Sequence, residues 1–225
     1  MPLKIARQCT LLLLTLLGFQ SAARAEKLHY TYLWHLEQPI YWPDQQTSGQ
    51  DRYETAWRSI LRTDAGATHP ENNLRDIFGL ADRVAVYQYR ARDSIAAMLA
   101  HSEAGAQISY SGGLIENVQS LATAGQLGYG SNWFSWLREA RNWNTVGQSK
   151  PRCDIVVFPF HHPLLPLCDE STVRKEIQLY KAAYADAWGT SPGISKGMFP
   201  PEMAFSTRLI QVLAEEGIEI GRAHV

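Results

Sequence analysis

Short apolar runs alternate with helix-spaced patterns along most of this chain. "LHYTYLWHL" (Leu28–Leu36) is aromatic and β-rich and reads as a first strand. From Tyr53 to His101 apolar residues recur at helical spacing, most clearly in "YETAWRSIL" and "DRVAVYQYRARDSIAAMLA". "QISYSG" reads as a second strand and "LIENVQSLATAG" as a helix stopped by Gly125. "NWFSWLREARNW" reads as an inserted helix. "CDIVVFPF" is a third strand whose unbroken apolar run suits burial on both faces. "ESTVRKEIQLYKAAYADAWG" is a helix that Ser171 or Thr172 can cap and Gly189 ends. "ISKGMF" is a fourth strand, "STRLIQVLAEEG" a helix, and "IEI" the opening of a fifth strand. This β-then-α order predicts an α/β fold with a parallel sheet and outer helices. In such folds chemistry gathers where strands end.

Four strand ends carry unusual polar residues: His35, Glu37 and Gln38; Ser111 and Gly112; His161 and His162; and Glu202. Glu202, in "GMFPPEMAFS", follows two prolines, precedes Met203, and has no cation within five positions. A stiffened carboxylate at a strand end can attack an anomeric carbon or carry a proton; its alternative is a partly exposed loop acid. His35 and Glu37, two residues apart on extended chain, are expected to face the same way beside Trp34. Adjacent histidines on extended chain point apart, so one of His161 and His162 is expected in the pocket and the other in packing. Zinc would need three or four convergent ligands, and the spacing supplies none; no metal and no cofactor is expected. The glycines of "SYSGGLIENVQSL" lack the lysine of a phosphate-binding loop and read as a tight turn, with Glu116 one turn into the helix.

The chain has 225 residues, 45% of them apolar, which suits one sizeable globular domain. Its seven tryptophans and ten tyrosines suit sugar faces or an ordinary core. Residues 1–25 combine a basic start, an eleven-residue apolar run and a small-x-small ending at Ala25, the pattern of a cleavable secretory signal. The expected location is therefore periplasmic or secreted, without a stable membrane anchor. Taking Lys4, Arg7 and Arg24 from 21 basic residues leaves 18 against 22 acidic ones, which gives no reason to expect nucleic acid as a partner. Cys153 and Cys168 remain, and their pairing is open. Residues 221–225 close a string, "IGRAHV", that resembles a translated sequencing adapter, so the expected organisation is a catalytic domain over 26–220, cut short, and a non-native tail.

Four segments in order resemble glycoside hydrolase family 57, retaining α-glucan hydrolases and transferases. "HLEQP" is similar to the family's opening HxHQP motif, "SGGLIENVQSL" to its small-residue turn, "FHHPLLPL" to its His-Pro segment, and "GMFPPEMAFS" to the segment with the nucleophile. The resemblance implies an incomplete (β/α)7 barrel, TIM-like and here not closed. It implies Glu202 as nucleophile; His35, Gln38 and His162 as substrate contacts, with Trp34 beside them; and an α-glucan as partner. Glu37 stands where the family has a second histidine, which bears on the hydroxyl contacts. The family's acid/base, a later aspartate, has no counterpart here, so the chain alone is expected to be inactive, unpaired at a sheet edge and prone to aggregate. The competing readings are a metal-dependent polysaccharide deacetylase and a non-catalytic sugar-binding protein.

Overall fold

The structure, a computed structural model, describes residues 32–40, 42–45, 51–66, 73–147 and 150–219. The secretory pattern at 1–25, Tyr41 and the 221–225 tail lie outside the described residues. Three strands form a parallel sheet: β1 (Leu33–Leu36), β4 (Ala106–Tyr110) and β5 (Cys153–Val156), in spatial order β1-β4-β5. The sheet is open, with β4 at its centre. Its register sets His35 beside Ser109 and Ser109 beside Val156, so three strands end close together.

The expected fourth strand is reduced to a single parallel bridge between Val157 and Met198. Two hydrogen bonds make it: Val157 N–H donates to the Gly197 carbonyl at 2.9 Å, and Phe199 N–H to the Val157 carbonyl at 3.0 Å. Pro200 and Pro201 follow at once, and a residue without an N–H cannot extend a ladder. Glu219 N–H donates to the Lys196 carbonyl at 2.8 Å, the one trace of the expected fifth strand among the described residues. An antiparallel hairpin, β2 (Trp42–Gln45) and β3 (Asp51–Glu54), takes up Tyr53 and Glu54, where the helical spacing predicts the start of a helix.

Helices cover the sheet: α1 (Ala56–Asp64), α2 (Leu74–Gly79), α3 (Ala81–Gln88), α4 (Arg90–Ala97), α5 (Gly112–Ala124), α6 (Ser135–Ala140), α7 (Glu170–Trp188) and α8 (Leu209–Glu215). The single helix expected over 82–100 is two, because Tyr89 leaves the helical region at φ −126°. α5 begins at Ser111, whose Oγ accepts from Leu114 N–H at 3.1 Å, and ends at the left-handed Gly125. The cap of α7 is Asp169, not Ser171 or Thr172. Its carboxylate accepts from Thr172 N–H at 2.9 Å and from both hydroxyls, which holds its pKa down at about 2.

α5 packs beside α1 and α7, and the core fills the space between helices and sheet. Trp133, Trp188, Tyr110, Tyr180 and Phe158 are fully buried there. Each such side chain contributes about 1.5–3 kcal/mol through removal from water. Trp133 and Trp188 meet edge to face at 5.8 Å, so two of the seven tryptophans serve the core. Cys153 and Cys168 are both free, one opening β5 and the other lying beyond its far end. Among the described residues no helix is long and apolar enough to cross a membrane.

Candidate active site

β1 presents His35 next to the end of its strand, and its Nδ1 lies 2.8 Å from Ser109 Oγ on β4. That contact fixes the ring orientation. Phe158 and Phe199, at 4.9 and 5.2 Å between centroids, flank the imidazole. The His35 pKa is lowered, chiefly because burial against these rings penalises the cation; His162 lowers it further and Glu202 opposes both. The His162 ring stands 5.7 Å from that of His35 and 5.3 Å from Phe158.

Glu202 completes the group, with Oε1 3.5 Å from His162 Nε2. It sits in a left-handed conformation, φ 54° and ψ 22°, and Met203 repeats φ 54°. Such a conformation costs a residue with a Cβ about 1–3 kcal/mol and persists only where the surroundings impose it. Here Pro200 and Pro201 fix the approach, and N–H groups of Met203 and Ala204 donate back to their carbonyls at 3.0 and 2.9 Å. The acid is not shielded: its side chain is 68% exposed, and the turn leaves Met203 and Phe205 exposed as well. The carboxylate is open to solvent on the side away from His162.

The structure thus brings together His35, His162 and Glu202, three residues from segments more than thirty positions apart. Glu37, past the end of β1, is half-buried and near enough to His162 to feel its charge. Burial raises the Glu37 pKa and His162 partly offsets this. Gln38 turns away from Glu202 toward α3, its Nε2 donating to the Tyr87 hydroxyl at 3.0 Å. Trp34 does not join the cluster: strand alternation sends it to the other face of β1, where it packs on Tyr32 at 5.7 Å. It lines a cavity of about 400 Å³ that Leu33, His35, Leu36, Val86, Arg90 and Ala91 also line.

The turn into α5 is locked to the first loop and to the loop after β5. Ser111 Oγ donates to the Gln38 carbonyl at 3.4 Å, Asn117 Nδ2 to the Pro39 carbonyl at 2.9 Å, and Gly113 N–H to the Phe160 carbonyl at 2.9 Å. A Cβ at Gly112 would lie 2.2 Å from the Phe160 ring, so only glycine fits. His161 takes the packing role, bonded to Glu176, and Glu116 is half-buried with its pKa raised by burial. Ser109, Tyr87, Phe199 and Glu176 were not singled out from sequence. The His35–Ser109 pairing needs the strand register, which no single-chain pattern contains.

Among the described residues no three His, Cys, Asp or Glu side chains converge as a metal centre would require. An accessible carboxylate beside a histidine can accept a proton or attack an electrophilic carbon.

Comparison with known proteins places this geometry in context. The family profile described as Glycosyl hydrolase family 57 matches residues 33–223. An alpha-amylase of Niallia circulans is 33% identical over 132 residues, 55% of this chain and 10% of the amylase. The crystal structure of 4-alpha-glucanotransferase from Thermococcus litoralis superposes with a TM-score of 0.51 at 18% identity, covering 84% of this chain and 21% of that one. The chain therefore spans about a tenth and about a fifth of these relatives' lengths.

Proposed function

The chain belongs to glycosyl hydrolase family 57, and from that premise we propose that the full-length protein is a retaining α-glucan hydrolase or transferase with Glu202 as nucleophile. The observation that carries this reading is the convergence of His35 and His162 on the Glu202 carboxylate at an open, aromatic-walled strand end. In a retaining reaction Glu202 attacks the anomeric carbon while a carboxylic acid protonates the leaving oxygen. Water or an acceptor sugar then opens the glycosyl ester, and the second inversion restores the starting configuration.

His162 stands beside the nucleophile, its Nε2 3.5 Å from Glu202 Oε1, where it lines the same subsite. His35, held by Ser109 and with its pKa lowered by burial against the surrounding rings, acts as a hydrogen-bonding contact for a sugar hydroxyl. Glu37 is a hydroxyl acceptor at the same subsite. The proton donor is assigned outside these 225 residues. Asp154 is engaged by Ser195 Oγ at 2.9 Å, and Asp169 caps α7. The chain by itself is accordingly inactive in this reading. The basic start, apolar run and Ala25 ending support export of the whole protein to the periplasm or beyond.

The test is the stereochemistry of turnover. Full-length protein incubated with maltooligosaccharides, followed by proton NMR, is expected to release α-anomers first. A first-formed β-anomer, or no cleavage of any α-glucan, overturns the proposal.

A further inference from the structure

His161 and His162 are neighbours at the tip of β5, yet different groups hold them. Glu176, in the second turn of α7, is 9% exposed and gives both carboxylate oxygens to His161. Oε2 accepts the His161 backbone N–H at 2.8 Å, and Oε1 lies 2.7 Å from His161 Nδ1. The Glu176 backbone carbonyl also accepts from Phe160 N–H at 3.2 Å. One helical residue therefore makes three bonds to two consecutive residues of the loop. A carboxylate this deeply buried costs several kcal/mol unless well paired, so spending both oxygens on one partner is a specific commitment.

The clamp bears directly on its neighbour. His162 follows one peptide step, about 3.8 Å, after the clamped residue, and Pro163 restricts the backbone on the other side. Tethering on both sides fixes the backbone from which the His162 ring reaches Glu202, with Nε2 3.5 Å from Oε1. Among the described residues the His162 side chain meets Glu202, Phe158 and His35. Its aim depends on the backbone beneath it.

We propose that Glu176 is a positioning residue of the active site, acting through His161 to hold His162 against Glu202. The inference rests on the reading of Glu202 as nucleophile. Two charged groups act on the His161 ring: Glu176 from α7 and Glu116 from α5. The Glu176 bond raises the His161 pKa despite burial, which by itself would lower it. The ionic clamp is thus fully formed below the ordinary histidine range, persists above it, and is lost as pH rises through the elevated value.

The experiment uses full-length protein with Glu176→Gln, which keeps an acceptor for the backbone N–H but removes the charge, and Glu176→Ala, which removes the clamp. Imidazole ¹⁵N NMR of His161 and His162 is recorded against pH, alongside maltooligosaccharide kinetics. In Glu176→Gln, His161 is expected to titrate at lower pH than in the parent, and the alkaline limb of kcat is expected to move with it. In Glu176→Ala, the His162 resonances are expected to shift and kcat to fall about tenfold or more with KM little changed. If Glu176→Ala does not fold, the Glu176→Gln titration and pH profile decide alone. A lowered melting temperature with unchanged His162 resonances, kcat and pH profile overturns the proposal. If the parent cleaves no α-glucan, the functional reading fails separately, and displacement or constancy of His162 still upholds or overturns the clamp.

Discussion

Replacing Gly112 by alanine sets two effects of opposite sign against each other. Gly112 is the first residue of α5, and helix propensity alone predicts a gain of up to about 1 kcal/mol. The structure predicts a loss. The new Cβ would lie 2.2, 2.6 and 2.8 Å from three carbons of the Phe160 ring, where about 3.5–4.0 Å is comfortable. The ring would have to retreat by more than an ångström. It has little room: Phe160 is buried, its ring packs against His161 at 4.8 Å, and its backbone is bonded on both sides by Gly113 and Glu176. Overpacking of this kind costs about 1–3 kcal/mol, so even after the full propensity gain the net effect should be a destabilisation of up to about 2 kcal/mol. Gly113→Ala is the internal comparison, because its Cβ would meet backbone atoms at longer range, the Gln38 carbonyl oxygen at 3.0 Å, Ile40 N at 3.4 Å and the Pro39 carbonyl carbon at 3.5 Å, a milder crowding than at Gly112. Native-state hydrogen exchange of the amides in Gly112–Ala124, in full-length protein, reads the local opening free energy. The expected order of stability is parent, then Gly113→Ala, then Gly112→Ala. A Gly112→Ala protein as well protected as Gly113→Ala would refute the close approach of α5 to the β5 loop.

Two further outcomes follow from the same packing. Ser111→Ala deletes the α5 cap and the bond to the Gln38 carbonyl, and should cost about 1 kcal/mol of protection in that helix; unchanged exchange would show the cap to be idle. Alkylation of the native protein should modify Cys168 and spare Cys153, whose buried thiol has its pKa pushed up to about 12, until the protein is unfolded. Finding neither thiol reactive after unfolding without reductant would mean that the two are joined.

Much of the fold could be read from local pattern. The apolar run of β5 is long and unbroken, and α5 and α7 carry glycines at their ends, so burial and punctuation agreed there. Where two local signals competed, the pattern was ambiguous. Ser171 and Thr172 look like caps, but Asp169 stands where its carboxylate reaches the exposed N–H of Thr172, and Ser171 becomes its donor. At Tyr89 the helical periodicity continues while the backbone does not.

The site was legible as a set of strand-end residues, and less so as a geometry. His35, His162 and Glu202 come together because parallel strands align their ends. Trp34 and Gln38 diverge from them because alternation and a bond to Tyr87 decide their directions. The left-handed turn at Glu202 had no sequence signal, since glycine is the usual mark of that conformation and none is present at 202 or 203. Glu176 was legible only as a helix residue near its start, because its partner lies fifteen positions away across the sheet-to-helix interface.

The claim at the centre of this account is that the Glu202 carboxylate bonds to a sugar carbon during turnover. Full-length protein treated with a fluorinated α-glucosyl fluoride, which slows breakdown of a glycosyl ester, should gain the mass of one sugar. Peptide mass spectrometry should place that sugar on Glu202 within Gly197–Ser206. A sugar carried by any other residue, or active enzyme that never acquires one, would contradict it.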